Sequence, residues 1–395
     1  MSCGAAVPRV DRLEQRYLSG TFAELCRIES PSGRERACAQ RVIAELRALD
    51  VAVHEDRAGE QTGSDCGNLL ARIPGAKGGG EEGRRSVLLC AHLDTVPLQA
   101  PVEPVLEDGV WENANDGILG ADNKAAIAVI LALARHACRA GAPVDLELLF
   151  TVGEETALAG ARAFQTSSLR SELGFVFDHA SPIGELVIAS PSHFRLQVDF
   201  HGAAAHAGIR PETGRSAILA AARAICALQL GRLDEGTTVN VGTITGGTAM
   251  NVVPEDCSFV CEVRALEDAR AESLVAEMVD RAHEAANMAD CDCDVEVSVQ
   301  RSFAGYRLSP RAPEVQIAEA ALRSCGHEPV QIASGGGSDV NALIAAGFPA
   351  VNLANGTERN HEPGERVSVA ALEQMLDVGL ALLEQAAALG SPPVR

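Results

Sequence analysis

Aromatic side chains are scarce in this chain: they make up 3% of 395 residues, with a single Trp and two Tyr. The interior must therefore be built from Ala, Leu, Val and Ile, which a hydrophobic content of 47% supplies. Basic residues are also few. Thirty-three Lys and Arg stand against 54 Asp and Glu, a formal charge of -21, which argues against nucleic acid or an anionic membrane as a partner. No run reaches the roughly 18 consecutive apolar residues that a membrane-spanning helix requires. Met1 to Arg16 lacks the apolar centre of a secretory signal. A disulfide framework is missing too. Most of the 12 Cys are single and scattered through apolar patterns (Cys26, Cys38, Cys90, Cys138, Cys226, Cys261), as reduced core thiols are. Cys291-Asp-Cys293 is too tightly spaced for a usual zinc clip and has no partner pair. The expectation is a cytoplasmic protein whose acidic residues mostly solvate its surface, with a minority available as metal ligands.

What is present is an alternation of buried strands and helices. The length exceeds one ordinary core and predicts two domains. Helical spacing covers Pro8–Glu29 and Ser32–Leu49, broken at Ser30-Pro31-Ser32-Gly33. Strands are predicted at 66–73, 86–90, 144–152 and 174–177, with a Gly-rich loop over 74–85 and an apolar helix from Lys124 to Ala140. This is the α/β rhythm. At about Ser192 it changes: a strand with one wet face (Phe194, Leu196, Val198, Phe200) opens a β-α-β-β-α-β series, the ferredoxin-like order. After Tyr306 the α/β rhythm resumes. The predicted architecture is an α/β catalytic domain, a central β-sheet flanked by helices, built from 1–192 and 306–395, with a ferredoxin-like α+β domain inserted at 193–305.

Chemistry gathers at the strand ends. The run Ser86–Cys90 is followed by His92-Leu-Asp94, past the carboxyl end of a strand, where α/β sheets place their sites. An imidazole there can bind a metal while a carboxylate fixes its other ring nitrogen. Asp122, Glu154-Glu155, Asp178 and, far downstream, His361 occupy similar positions. One imidazole and one carboxylate for each of two divalent ions, with Asp122 shared, suit Zn²⁺, with Mn²⁺ or Co²⁺ as alternatives. Such a pair of ions acidifies water and polarises a carbonyl. Glu154, not needed as a ligand, is free to move the water's proton to a leaving amine.

The strings Ala91-His-Leu-Asp-Thr-Val-Pro97, Gly120-Ala-Asp-Asn-Lys124, Thr151-Val-Gly-Glu-Glu155 and His361-Glu362, in this order, resemble the M20 family of di-zinc exopeptidases and amidohydrolases. Gly202–Gly208 and Met250-Asn-Val-Val-Pro254 look like the matching segments of that family's inserted lid domain. Asp178, at a strand end, places the resemblance nearest the peptidase T-like, tripeptide aminopeptidase branch. The resemblance implies His92, Asp122, Glu155, Asp178 and His361 as ligands of two ions, Asp94 as the residue orienting His92, and Glu154 as general base. It implies a cis bond between Asp122 and Asn123, although the family more often carries Asp at the second position. It implies that His206 reaches the substrate carbonyl across a dimer interface, that Asn251 and Arg264 contact the substrate, and that Gly336, within Gly335–Gly337, lines it. Expected partners are a short peptide and a second copy of the chain.

Plainer readings stand beside these. Taken singly, Asp94 and Asp178 cap their turns, and adjacent acids such as Glu154 and Glu155 point to opposite sides of a strand. His206 packs among small residues, and Arg264 pairs with Glu262 or Glu267. The remaining imidazoles (His54, His136, His193, His201, His283, His327) belong to no constellation, and His179 is a rim or packed residue. Three functional readings stay open: an exopeptidase for unblocked short peptides, an N-acyl amino acid deacylase or carboxypeptidase on the same scaffold, and a metal-binding protein without catalysis.

Overall fold

The computed structural model describes residues 11–76 and 85–389. Most of the Gly-rich loop expected over 74–85, the expected helix start at Pro8 and most of the stretch searched for a signal lie outside the described residues. The chain divides into two compact units, one formed by residues 1–188, 307–333 and 338–395, the other by 189–306 and 334–337.

The first unit is built on a mixed sheet. Its strands run in the order Val53–Glu55, Leu69–Ile73, Asp145–Thr151, Ser86–His92, Leu173–His179, Ala350–Ala354 and Glu185–Ser190. The four from Asp145–Thr151 to Ala350–Ala354 are mutually parallel. Two of them, Ser86–His92 and Asp145–Thr151, are buried at every position but the first, the mark of a strand covered on both faces. That is why each reads as an unbroken apolar run rather than an alternation. The strands therefore deliver His92, the turn after Thr151, and Asp178 to one edge of the sheet. The helix Ala121–Ala140 is buried from Ala121 to Ala134. Its many Ala side chains allow close approach, and Gly379 of the last helix, Val369–Ala388, is itself pressed against Leu133.

Between residues 97 and 117 the sequence suggested only a connection. The structure forms two short strands there, Pro104–Glu107 and Val110–Asn113, which pair with Thr357–Glu358 and Arg366–Ser368 in a small antiparallel sheet. Pro104–Glu107 is buried only at Pro104 and exposed at Leu106 and Glu107, and Val110–Asn113 is half-buried throughout, so no apolar run announced them. This sheet matters because the loop carrying His361 is strung between two of its strands. Cys26, Cys38, Cys90 and Cys261 are buried as expected, but Cys138 and Cys226 are exposed: each lies on the outward face of its helix. None of the described cysteines forms a disulfide.

The second unit is an antiparallel sheet in the order Gly231–Asp234, Thr237–Gly246, Asp256–Ala265, Ser192–His201, Asp294–Phe303. Leaving out the short first strand, this is the ferredoxin-like arrangement. Ser192–His201 buries Phe194, Leu196, Val198 and Phe200 and turns its alternate residues outward. Those four side chains share one apolar cluster with the helices Ala217–Ala227 and Asp268–Ala286. Cys291 and Cys293 are buried in the same cluster, a packing role.

Candidate metal centre

The first unit brings seven of the singled-out residues into one place. His92 Nε2 lies 3.3 Å from Asp122 Oδ1 and 3.6 Å from Asp178 Oδ1. His361 Nε2 lies 3.3 Å from Asp122 Oδ2 and 2.8 Å from Glu155 Oε1. Asp122 thus offers one oxygen to each of two triads, His92–Asp122–Asp178 and Asp122–Glu155–His361, whose candidate ligand atoms all fall within 4.8 Å of one another. Glu154 joins His92 and Glu155 in a third group of the same compactness. Each triad holds one imidazole nitrogen and two carboxylate oxygens, a mixed N/O set that suits a divalent cation of the zinc or manganese type. Anionic groups packed this closely away from solvent require positive charge among them.

The electrostatics express the same demand. Burial opposes charging of His92, yet Asp122 and Asp178 outweigh it and hold the imidazole's pKa well above its ordinary value. For His361, hydrogen bonds to Asp122 and Glu155 push the pKa up to about 10. Burial raises Asp178 to about 7, against the pull of His92. Burial followed by the charge on Asp178 drives Glu154 well above the usual carboxylate range. Asp122 goes the other way: the two imidazoles overcome its burial and lower it.

Local structure explains how each donor arrives. Asp94 is fully buried. Its backbone carbonyl lies 3.0 Å and its carboxylate 3.5 Å from His92 Nδ1, so it is placed to fix that ring. The same carboxylate accepts hydrogen bonds from Ser32 Oγ and from the amides of Glu154 and Glu155. Glu154 and Glu155 do not point to opposite sides, as they would within a strand. They follow Gly153, whose φ of +60° turns the chain out of the strand, and a carboxylate oxygen of each lies within 4.8 Å of a His92 ring nitrogen. Asp122 follows Gly120 in the left-handed region, φ +74°, and its bond to Asn123 is cis.

Three residues outside the proposed ligand set organise the site, and two of them, Glu365 and Asn352, went unnoticed in the sequence. Glu365 accepts the amides of Leu119, Gly120 and Asp122 at 2.7–2.9 Å, fixing the approach to the shared ligand. Asn352 accepts the Asp178 amide and donates to its carbonyl, both at 2.9 Å. Asn123 donates to Asp178 Oδ1 at 2.9 Å. Glu365 had one available signal, its place four residues after His361; Asn352 had none, and Asn123 was read only as the residue joined to Asp122 by a cis bond, not as a donor to Asp178.

The residues singled out for substrate contact, His206, Asn251, Arg264 and Gly336, lie in the second unit. His206 is exposed on the two-residue strand Ala205–His206, which pairs with Val252–Val253 beside Asn251. It is therefore not packed among small residues. Its Nδ1 accepts the Gly208 amide at 3.1 Å, which leaves Nε2 outward. Arg264 takes the plainer reading in part: it pairs with Glu262 at 3.2 Å, and its guanidinium also nears the Gly335 carbonyl at 3.5 Å. Gly336 accepts a hydrogen bond from Ser190, while a Cβ at Gly337 would strike the Phe303 ring at 2.5 Å. His193 shares Glu262 with Arg264, and together they draw that carboxyl down to about 2. His136 and His201 sit in ion pairs with Glu14 and Asp256. His179, half-buried beside Asp178, has its pKa lowered by burial.

Comparison with known proteins agrees with this picture. Residues 188–288 match a profile of the M20 series described as a peptidase dimerisation domain, and residues 68–186 match one described as peptidase family M28. Over 379 residues the chain is 33% identical to Bacillus subtilis (strain 168) YqjE, an uncharacterised protein, covering 95% of this chain and 100% of the relative. Among solved structures, aminopeptidase PepT from Bacillus cereus ATCC 10987 is 31% identical with a TM-score of 0.83, covering 94% of this chain and 99% of PepT. A tripeptidase from Staphylococcus aureus Mu50 is 30% identical with a TM-score of 0.87, covering 95% and 99% of the two chains. With both sequence and three-dimensional structure matched along almost its whole length, the chain belongs to the M20 family of metallopeptidases, in its PepT-type group.

Proposed function

We propose that this protein is a zinc-dependent exopeptidase that hydrolyses short, unblocked peptides, with two ions in the centre described above. The observation that carries the reading is Asp122: its two carboxylate oxygens face two different imidazoles, each backed by a further carboxylate. His92, Asp122 and Asp178 would hold one ion, and Asp122, Glu155 and His361 the other. Divalent ions supply Lewis acidity there, making water a stronger acid and polarising a carbonyl oxygen.

The remaining work falls to the chain's own side chains. Glu154 takes a proton from the attacking water and passes it to the departing amine; its carboxylate lies within 4.8 Å of the His92 and Glu155 donor atoms and is not needed as a ligand. Asp94 holds the His92 ring in the orientation that turns Nε2 toward Asp122. His206, Asn251, Arg264 and Gly336 are assigned to substrate contact, the part played by residues 193–305 being that of a lid and dimerisation domain. A homodimer and a cytoplasmic location complete the proposal; unpaired cysteines throughout the described residues support the latter.

The test uses the full chain loaded separately with Zn²⁺, Mn²⁺ and Co²⁺. Bound metal is counted, and tripeptides are offered against N-acyl amino acids and amino-terminally blocked peptides. Cleavage of tripeptides at two ions per chain supports the reading. Preference for acylated substrates replaces the aminopeptidase reading with a deacylase or carboxypeptidase, and metal binding without hydrolysis of either class removes the enzyme.

A further inference from the structure

Four consecutive amides carry the chain from the end of strand Asp145–Thr151 into the Glu154–Glu155 turn, and each donates to a buried side chain from elsewhere in the sequence. Val152 donates to Asn68 Oδ1 at 3.1 Å, Gly153 to Glu35 Oε1 at 3.1 Å, and Glu154 and Glu155 to the two oxygens of Asp94 at 3.0 and 3.1 Å. Asp94 is explained by its position beside His92. Glu35 is not: it is fully buried, and neither the proposed ligand set nor the proposed proton transfer uses it. Its second oxygen accepts from Ser64 Oγ at 2.6 Å, and the Gly33 amide adds a third donor. Glu35 also lies close to Asp65 and Cys66, a grouping that could suggest a cation. Both of its oxygens are already engaged by N–H and O–H donors that a cation would have to displace.

A carboxylate costs much to bury and is retained where its hydrogen bonds are strong. Of its three donors here, two (the Gly33 amide and Ser64 Oγ) hold the carboxylate in place, and the third is the amide of Gly153, the residue whose left-handed φ of +60° turns the chain toward the centre. A shift of Gly153 moves the Cα of Glu154 next to it. We propose that Glu35 is a positioning residue for Glu154: by accepting the Gly153 amide it fixes the turn from which the general base reaches its substrate. This rests on the exopeptidase reading for the role of Glu154; the geometry of the clamp does not.

The experiment compares wild type with Glu35→Gln, Glu35→Asp and Glu35→Ala, all full-length and zinc-loaded. It measures kcat and KM on a tripeptide, bound zinc, and amide hydrogen exchange of the segment containing residues 152–155 in the metal-free protein. Gln keeps an oxygen where Glu35 Oε1 stands and can still meet Ser64, so it retains kcat within about threefold and exchange stays slow. Asp keeps the charge but falls one methylene short of Gly153. It and Ala lower kcat about 10–100-fold with KM and bound zinc unchanged, and exchange of that segment quickens. Should Ala fail to fold, Asp against Gln carries the comparison. Wild-type kcat in Glu35→Asp, equal damage from Gln and Asp, or a loss explained by missing zinc would each overturn the proposal. If wild type cleaves no peptide, the functional reading fails separately, and the exchange data still decide whether Glu35 holds the turn.

Discussion

Asp122 can face two imidazoles because its own backbone is pinned. Glu365 grips three amides on the approach to it, and the side chain is left to present one oxygen to each side. Glu154 has no such obligation, and this division between holding and reacting makes it the informative residue to change. Glu154→Gln preserves shape and removes the carboxylate proposed to carry the proton. We expect bound metal to stay at the wild-type level while kcat falls about 10²–10⁴-fold, the usual worth of a general acid–base group; full activity would exclude Glu154 from the reaction. A second residue-scale prediction concerns the other unit. His193 first, then Arg264, hold Glu262 down to about 2, below the roughly 4.3 of a free Glu. The stabilisation this gives is present above about pH 4.3 and is lost as pH falls through about 2, because the folded form resists the proton that the unfolded chain accepts. Unfolding midpoints of Glu262→Gln and wild type measured from pH 5 to 2 should converge toward the acid end. Parallel curves would show that the triad is electrostatically idle.

At the scale of elements, the turn after Thr151 is held from both sides. Gly160 packs so tightly beneath it that a Cβ there would sit 2.1 Å from the Val152 carbonyl oxygen and 2.6 Å from Asn68 Oδ1. The obstacle is backbone, which cannot swing aside as a long side chain would. Gly160→Ala should therefore cost about 1–3 kcal/mol in denaturant unfolding, and kcat should fall because Val152 leads directly into Glu154. An unchanged midpoint would mean that the turn yields freely. The same element shows what was legible in the sequence. Thr151-Val-Gly-Glu-Glu155 declared a strand end and two acids, since a buried parallel strand is an apolar run and its end is where polarity returns. That both acids face inward was hidden, because their direction depends on the φ of Gly153 and on acceptors supplied by residues 35, 68 and 94. His361 was legible as a donor, whereas the small sheet that carries its loop was not. Short, half-buried strands such as Pro104–Glu107 leave no periodic trace. Cys138 and Cys226 were misplaced because an Ala-rich helix gives little contrast between its inner and outer faces.

For the whole molecule, the centre is a concentration of negative charge inside a chain whose formal charge is already -21. Without cations, folding leaves the imidazoles to neutralise it by holding protons: His361 rises to about 10 through Asp122 and Glu155, and His92 also rises as Asp122 and Asp178 overcome its burial. Burial raises Asp178 to about 7. All three shifts are upward, so the folded metal-free chain binds more protons than the unfolded one. Their stabilisation is complete at low pH and drains away as pH climbs through the folded values. Divalent ions held by the proposed ligands would replace those protons, and to the extent that they bind the folded chain alone they would add about 2.7 kcal/mol when free metal stands at 100 times its dissociation constant. Chelated protein should therefore melt earlier than zinc-loaded protein, and the gap should widen from pH 6.5 to 9 because only the chelated form depends on protons that are being withdrawn. Melting temperatures with and without chelator at three pH values in that range test this. A gap that is absent, or that narrows as pH rises, would mean that these residues do not form a cation site.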